Sequence, residues 1–416
     1  MPIPPADTRR DWWFGIGVTS FALALFCYNI AGPAALYFDE THYVPAARAL
    51  LARSGPVNIE HPLFAKTLIA AGIALFGDNA WGWRLPIAVC ATGGVAALFW
   101  MSRQLFADRR AALCATLLVI FNQSYFIQAR IAMLDMPMTA FLLLAAGCLL
   151  RGTRTDAAAV RWRYAGAVSL GLAIGAKWLA IPYAMLFLAL GGWRGWRSSG
   201  SDVVFLIDII VPDILKLGLT TLPVYLASFW PAFLYQHDAM SLPRLFGFQM
   251  QMLAAQRAPL PGHPYQSDWW QWPLMLRPIW YLFAKTGHAY EAVLMVGNPV
   301  IYWGGMVLVL VLLGGWLKLR TPPVLLTVGT YLFSLLIWIV IPKPIGFFYY
   351  YNLSAIALCL VIAAFFDALG ERGRRWLVWV TGASGAMFFY FYPIIAAQPL
   401  PTDNTWTGWV WMKSWY

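Results

Sequence analysis

Two carboxylates stand side by side at Asp39 and Glu40, in "LYFDETHYVPAARALLARSG" (residues 36–55), where the chain has just left its first long apolar segment. The whole chain has only 18 acidic residues in 416. Solvated loop acids are the plain explanation for such a pair. Three protonatable neighbours, His42, Glu60 and His61, shift the balance, because they share the same segment. A carboxylate against apolar surface can act as a general base, since burial brings its pKa towards the working range.

The cations that accompany this pair are also out of place. Arg84 in "WGWRLP", Arg130 in "QARIAMLD" and Lys177 in "GLAIGAKWLA" fall at the outer ends of apolar runs, and Asp135 lies just inside one. Charges at that depth are expensive and usually face a cavity or a partner. Snorkelling or an internal Arg130–Asp135 pair accounts for those two as well as a ligand does. Arg84 and Lys177 suit the phosphate of a lipid-linked substrate, with arginine offering a two-pronged fork. An outer carboxylate, cations at phosphate depth and an aromatic surface together suit sugar transfer from a polyprenyl phosphate, a reaction that composition alone does not single out.

The elements that must position these residues are membrane helices. The chain is 61% hydrophobic and 11% charged, far below the roughly 25% charge of a soluble domain. Apolar runs are expected at about 13–31, 85–105, 111–129, 132–150, 164–177, 178–193, 213–234, 300–317, 323–341, 347–367 and 376–396, giving about 11 crossings. The first run has no small-residue cleavage site behind it and reads as an anchored helix. The net charge of +11 does not point to nucleic acid. Most of the basic residues fall in the short loops of one side, from Arg9 and Arg10 through Arg109, Arg110, Lys318 and Arg320 to Arg374 and Arg375. This is the positive-inside pattern, so the N-terminus is expected in the cytoplasm.

Two long segments then lie outside, over about 32–84 and 235–299. Residues 41–55 read as an amphipathic helix stopped at Gly55, with Arg48 and Arg53 on its polar side. Residues 61–77, interrupted by Pro62 and Lys66, are expected at the interface. The second loop carries "GHPYQSDWWQWPLMLRPIWY", which fits an aromatic belt at headgroup level and carbohydrate binding alike. The five cysteines lie in apolar segments with no CxxC pair, which indicates packed thiols rather than a disulfide framework or zinc site.

The order "FDETHY", "EHPLFAK", "WRLP", "RIAMLD", "GLAIGAKW", "HPYQSDWWQWPLMLRPIWY", "GNPVIYW" and "WMKSWY" resembles the protein O-mannosyltransferase family, from Asp39 to the C-terminus. The resemblance implies an all-α polytopic membrane protein with the GT-C glycosyltransferase architecture, one domain over 1–416. It implies a polyprenyl- or dolichyl-phosphate mannose donor, inversion at the anomeric carbon and a hydroxyl acceptor on the outer side. Asp39 matches the acid assigned to acceptor activation and Glu40 its essential neighbour. Arg84 and Lys177, with Arg130, are expected at the donor phosphate. His61, His263, Tyr265 and Ser267 are expected in the loops over the sugar and acceptor.

Eukaryotic members insert a β-trefoil domain in the long outer loop, and here Tyr235 to Asn298 leaves no room for one. "EHPLFAK" also has one proline where the family often has two. A bacterial-type member of an inner membrane is therefore implied, with its site facing the periplasm. Its acceptor is a protein, lipid A or another envelope glycan. No metal or other cofactor is expected, since no HxxxH or similar spacing joins Glu40, Glu60, His42, His61 and His263. A transporter would place ionisable groups near the midplane and broken helices in matching halves, and this chain does neither.

Overall fold

The computed structural model describes residues 8–154, 156–198, 211–315, 319, 321–341 and 343–416. Lys318, Arg320 and the end of the run expected at 300–317 lie outside the described residues. The chain folds as two compact units, each assembled from separate stretches. Met1–Phe38, Leu105–Ile131 and Gln256–Tyr416 contribute to one, and Asp39–Gln104 with Ala132–Ala255 to the other.

The second unit holds α2 (Glu40–Ala52), α3 (Phe64–Phe76), α4 (Ala80–Leu105), α7 (Asp135–Arg151), α8 (Ala159–Ala176), α9 (Ala180–Ser198), α10 (Val211–Ala227) and most of α11 (Leu242–Arg257). As its periodicity predicts, α2 is one-sided: Tyr43, Val44, Ala46, Ala47 and Leu50 are buried, and the helix packs on α3. Its end differs from expectation. Arg53, not Gly55, takes the left-handed conformation (φ 52°), and the Ser54 N–H then closes on the Ala49 carbonyl. That is a common way for a helix to satisfy its last carbonyls.

The stretch "GLAIG" sets the spacing of α8 and α10. A Cβ on Gly171 would lie 2.7 Å from the Thr221 carbonyl, and one on Gly175 2.9 Å from Ser228 Oγ. Small residues four apart let two backbones approach closely, and Thr221 Oγ1 donates to the Ala167 carbonyl across the contact (3.0 Å). Gly175→Val is therefore expected to cost about 1–3 kcal/mol by overpacking, seen as a lower thermal midpoint of the purified protein in detergent. An unchanged midpoint would refute this account of the glycine.

The first unit holds α1 (Thr8–Cys27), α5 (Arg109–Ile120), α6 (Gln123–Ala129), a hairpin of β1 (Ile279–Thr286) and β2 (Ala289–Met295), α12 (Gly305–Gly314), α13 (Pro322–Leu336), α14 (Asn352–Ala368) and α15 (Gly370–Ile395). The hairpin corrects the all-α expectation. Its strands pair antiparallel around Gly287 (φ 61°), and Tyr290 also exchanges backbone bonds with Leu400. The run expected at 111–129 is broken in two, because α5 and α6 meet at 63°. Asn122 causes the break by capping α6, its Oδ1 accepting from the Ser124 N–H at 3.2 Å. The buried Asn298 of "GNPVIYW" then donates Nδ2 to the Phe121 and Ser384 carbonyls (2.9 and 2.8 Å), so the bend leaves the Phe121 carbonyl satisfied.

Among the described residues, five helices are long and apolar enough to cross a membrane, or six if the bent pair counts as one span. They bear large exposed side chains such as Leu219 and Leu222 on α10 or Trp376 and Trp379 on α15. In water such surfaces would be costly, and in hydrocarbon they are not. All five cysteines are free thiols, three of them buried.

Candidate active site

Asp39 immediately precedes α2 and occupies its N-cap position. An aspartate there ordinarily accepts a hydrogen bond from the first turn of the helix. This one does not: its backbone is helical (φ −68°, ψ −11°) and its side chain makes no cap bond. The residue before it, Phe38, is left-handed at φ 50°. An aromatic residue in that region carries strain and persists only when its surroundings hold it there. Phe38 is held by a stack on Tyr281 (centroids 3.6 Å apart) and an edge contact with Tyr349 (5.6 Å).

The Tyr43 hydroxyl donates to Asp39 Oδ2 at 3.4 Å. Burial is the largest influence on the carboxyl and raises its pKa to about 6. Lys177 pulls it down, Asp135 pushes it up, and His42 and Tyr43 lower it slightly. The residue as a whole keeps some accessible surface. Asp39 is thus a partly exposed residue whose carboxyl is enclosed by protein, poised to change charge near neutrality.

Glu40 has a different setting. It is wholly buried, and both oxygens are gripped by the equally buried Arg84 of α4, through Nε at 2.7 Å and Nη2 at 2.8 Å. Its Oε1 also accepts the Ala132 backbone N–H (2.9 Å). Arg84, expected at the donor phosphate, binds Glu40 through its Nε and Nη2. With no accessible surface and its fork closed on Glu40, it orients that carboxylate and ties α2 to α4.

Lys177 ends α8 in extended conformation (φ −159°, ψ 134°), which turns its ammonium onto both oxygens of Asp135, at 2.9 and 2.7 Å. Asp135 opens α7, where a helix N-terminus favours a carboxylate. The cation on Asp135 is therefore Lys177 rather than the Arg130 that lies five residues away. Arg130 belongs to the first unit and donates Nη1 and Nη2 to the carbonyls of Leu25, Phe26, Tyr28 and Asn29, fastening the end of α1.

Lys66 was noted in the sequence only as an interruption, and it organises the loop before α3. Its fully buried ammonium donates to the Asn58 carbonyl and, at 2.9 Å, to the His61 carbonyl. Burial pushes it down to about 7, with Glu60 opposing. His61 meets Tyr43 edge-on, centroids 5.9 Å apart.

The second unit thus gathers Asp39, Glu40, Arg84, Asp135, Lys177 and His61 from the residues picked out in the sequence, and adds Tyr43 and Lys66. His263, Tyr265 and Ser267 belong to the first unit. The Ser267 N–H donates to the Gly346 carbonyl (2.9 Å), and Trp272 Nε1 donates to Ser267 Oγ (3.0 Å). His263 Nδ1 accepts the Tyr265 N–H (3.2 Å), and its ring lies edge-on to Phe347. These bonds make the HPYQS stretch a shaped loop.

A family model described as dolichyl-phosphate-mannose-protein mannosyltransferase matches residues 16–237, and one for the C-terminal four-helix region of protein O-mannosyltransferase matches 241–415. The polyprenol-phosphate-mannose–protein mannosyltransferase of Mycolicibacterium smegmatis is 26% identical, over 99% of this chain and 94% of its own. The fold is similar to that of the S. cerevisiae protein O-mannosyltransferase Pmt1-Pmt2 complex solved with its sugar donor (TM-score 0.85, 13% identity, 97% of this chain and 92% of that one). It is also similar to ArnT of Cupriavidus metallidurans bound to undecaprenyl phosphate (TM-score 0.57, 18% identity, 92% and 65%).

Proposed function

The chain belongs to the dolichyl-phosphate-mannose-protein mannosyltransferase family, and from that premise we propose that it moves mannose from a polyprenyl phosphate to Ser or Thr hydroxyls of exported proteins. It is a helical membrane enzyme of GT-C fold. We place its site on the outer, periplasmic face of an inner membrane, with the N-terminus in the cytoplasm and about 11 crossings.

The observation that supports the chemistry most is the state of Asp39. Its carboxyl is not used as a helix cap, ionises near neutrality and feels the Lys177–Asp135 pair. The acceptor oxygen attacks the anomeric carbon while its proton passes to Asp39. The bond from that carbon to the phosphate oxygen breaks, and its electrons leave with the phosphate. One displacement inverts the anomeric centre. Lys177 steadies the charge that builds on the phosphate. Glu40, locked by Arg84, shapes the floor under the base, and the His263–Ser267 loop serves the sugar and acceptor.

Lys177→Met is expected to raise the KM for donor by about 10-fold or more, the worth of a charge-assisted hydrogen bond, with a smaller change in KM for peptide. Equal changes in both would remove the assignment. The reaction is tested by incubating purified protein with polyprenyl-phosphate mannose and a Ser/Thr-rich peptide in vesicles. Mannosyl-peptide supports the reading. Donor consumed with membrane lipid as acceptor would retain the fold and chemistry but overturn the protein acceptor.

A further inference from the structure

We propose that Tyr43 is a positioning residue for the base, its hydroxyl aimed at the Asp39 carboxylate by a packed run that leads back through His61 to the buried Lys66. The inference rests on the reading of Asp39 given above.

Three observations carry it. First, the Asp39 side chain is released from the role that an N-cap aspartate normally has, so something other than the helix end must orient it. Second, Tyr43 lies four residues on, where helix geometry leans a side chain back over the first turn. Its ring is buried and its hydroxyl reaches Asp39 Oδ2 at 3.4 Å. Phenylalanine would fill the same space, but a buried phenol needs a polar partner, and the carboxylate provides one.

Third, the ring of Tyr43 rests on a braced support. His61 meets it edge-on. The backbone on either side of Glu60 is held by one ammonium, since Lys66 Nζ donates to the carbonyls of both Asn58 and His61. Asn58 is left-handed (φ 53°), and its Nδ2 donates to Glu60 Oε2 at 2.9 Å. A buried lysine used this way fixes a loop, and through His61 the loop fixes the tyrosine.

Among the described residues, the charged and titratable groups that act on the Asp39 carboxyl include His42 and Tyr43 from α2, Asp135 from α7 and Lys177 from the end of α8, and Glu40 follows it in the chain. Of these, Tyr43 donates a hydrogen bond to the carboxylate. It favours the ionised base and sets which lone pair faces the acceptor, and it takes no proton itself.

The test compares full-length wild type, Tyr43→Phe and Asp39→Asn for mannose transfer between about pH 4.5 and 8.5. Tyr43→Phe removes one oxygen and keeps the ring, so its fold is checked simply by its thermal midpoint. Loss of a hydrogen bond to the ionised form raises a carboxyl pKa. The acid limb of kcat/KM should move up by about half a pH unit or more, with kcat reduced severalfold and the KM for donor little changed. A uniform fall with the limb unmoved, or a variant indistinguishable from wild type, would overturn the assignment. If Asp39→Asn is as active as wild type, the base itself is wrong and Tyr43 falls with it. If Asp39→Asn is inactive and the Tyr43→Phe limb is unmoved, only the role of Tyr43 fails.

Discussion

Asp39→Asn should reduce mannose transfer at pH 7 by about a thousandfold, within the range general-base catalysis supplies. Asparagine keeps the shape and the hydrogen-bonding reach but has no basic oxygen to accept the hydroxyl proton. The pH profile of wild type should carry the same signature. With a pKa of about 6, the ionised and active form dominates above that value and declines below it. The rate should therefore fall about 10-fold per pH unit well below the limb, and level off above it. The sign for stability runs the other way. A carboxyl whose folded pKa exceeds its ordinary value of 3.8 is disfavoured by folding once it ionises, so stability is lost as pH rises through about 4 to 6. Asp39→Asn should consequently be at least as stable as wild type at pH 7, which separates loss of the base from loss of the fold. Transfer rates across the pH range, paired with melting curves of both proteins, check both. An active, pH-insensitive Asn variant would end the assignment.

The largest effect on stability is expected at Glu40 and Arg84. Both are fully buried and joined by two short bonds across 44 residues of chain. Removing one partner leaves a charge buried without its counter-charge, at a cost of about 3–5 kcal/mol. Arg84→Met and Glu40→Leu should each lower the thermal midpoint sharply and reduce the yield of folded protein. Making both changes together removes both charges from the interior, so the double variant should recover more than half of that loss. It should not recover transfer, because the ordered carboxylate next to the base has gone. Melting curves for the four proteins close the cycle. Additive losses would mean that the two side chains act independently and that their bond contributes little.

The unequal ease of reading this chain from its sequence has physical causes. Asp39, Glu40, Arg84 and Lys177 were legible because charge in an apolar chain is rare and depth makes it expensive. Their pairing was not. Lys177 meets Asp135 across 42 residues, and only the turn at the end of α8 aims it there. Arg84, expected at the donor phosphate, grips Glu40 across 44 residues of chain with a fork that fits two oxygens. The hairpin escaped notice because its alternation continues a stretch rich in Trp, Tyr and Pro that also suits the headgroup layer. The stop of α2 at Arg53 was hidden by Gly55, which satisfies the usual expectation two residues late. The close approach at "GLAIG" was legible in principle, since small residues four apart carry that meaning.

With Lys177 at the donor phosphate, as proposed above, its pairing with Asp135 bears on turnover. A lipid-linked sugar donor is a phosphodiester with a single negative charge, whereas the phosphate left after transfer is a monoester that carries nearly two. A lone ammonium would hold the spent carrier more tightly than the fresh one and so slow each cycle at its last step. The Asp135 carboxylate, both of whose oxygens sit on Lys177, opposes the more highly charged species more strongly. An enzyme whose cation arrives already neutralised gives up some grip on its donor and is the readier to release what remains of it.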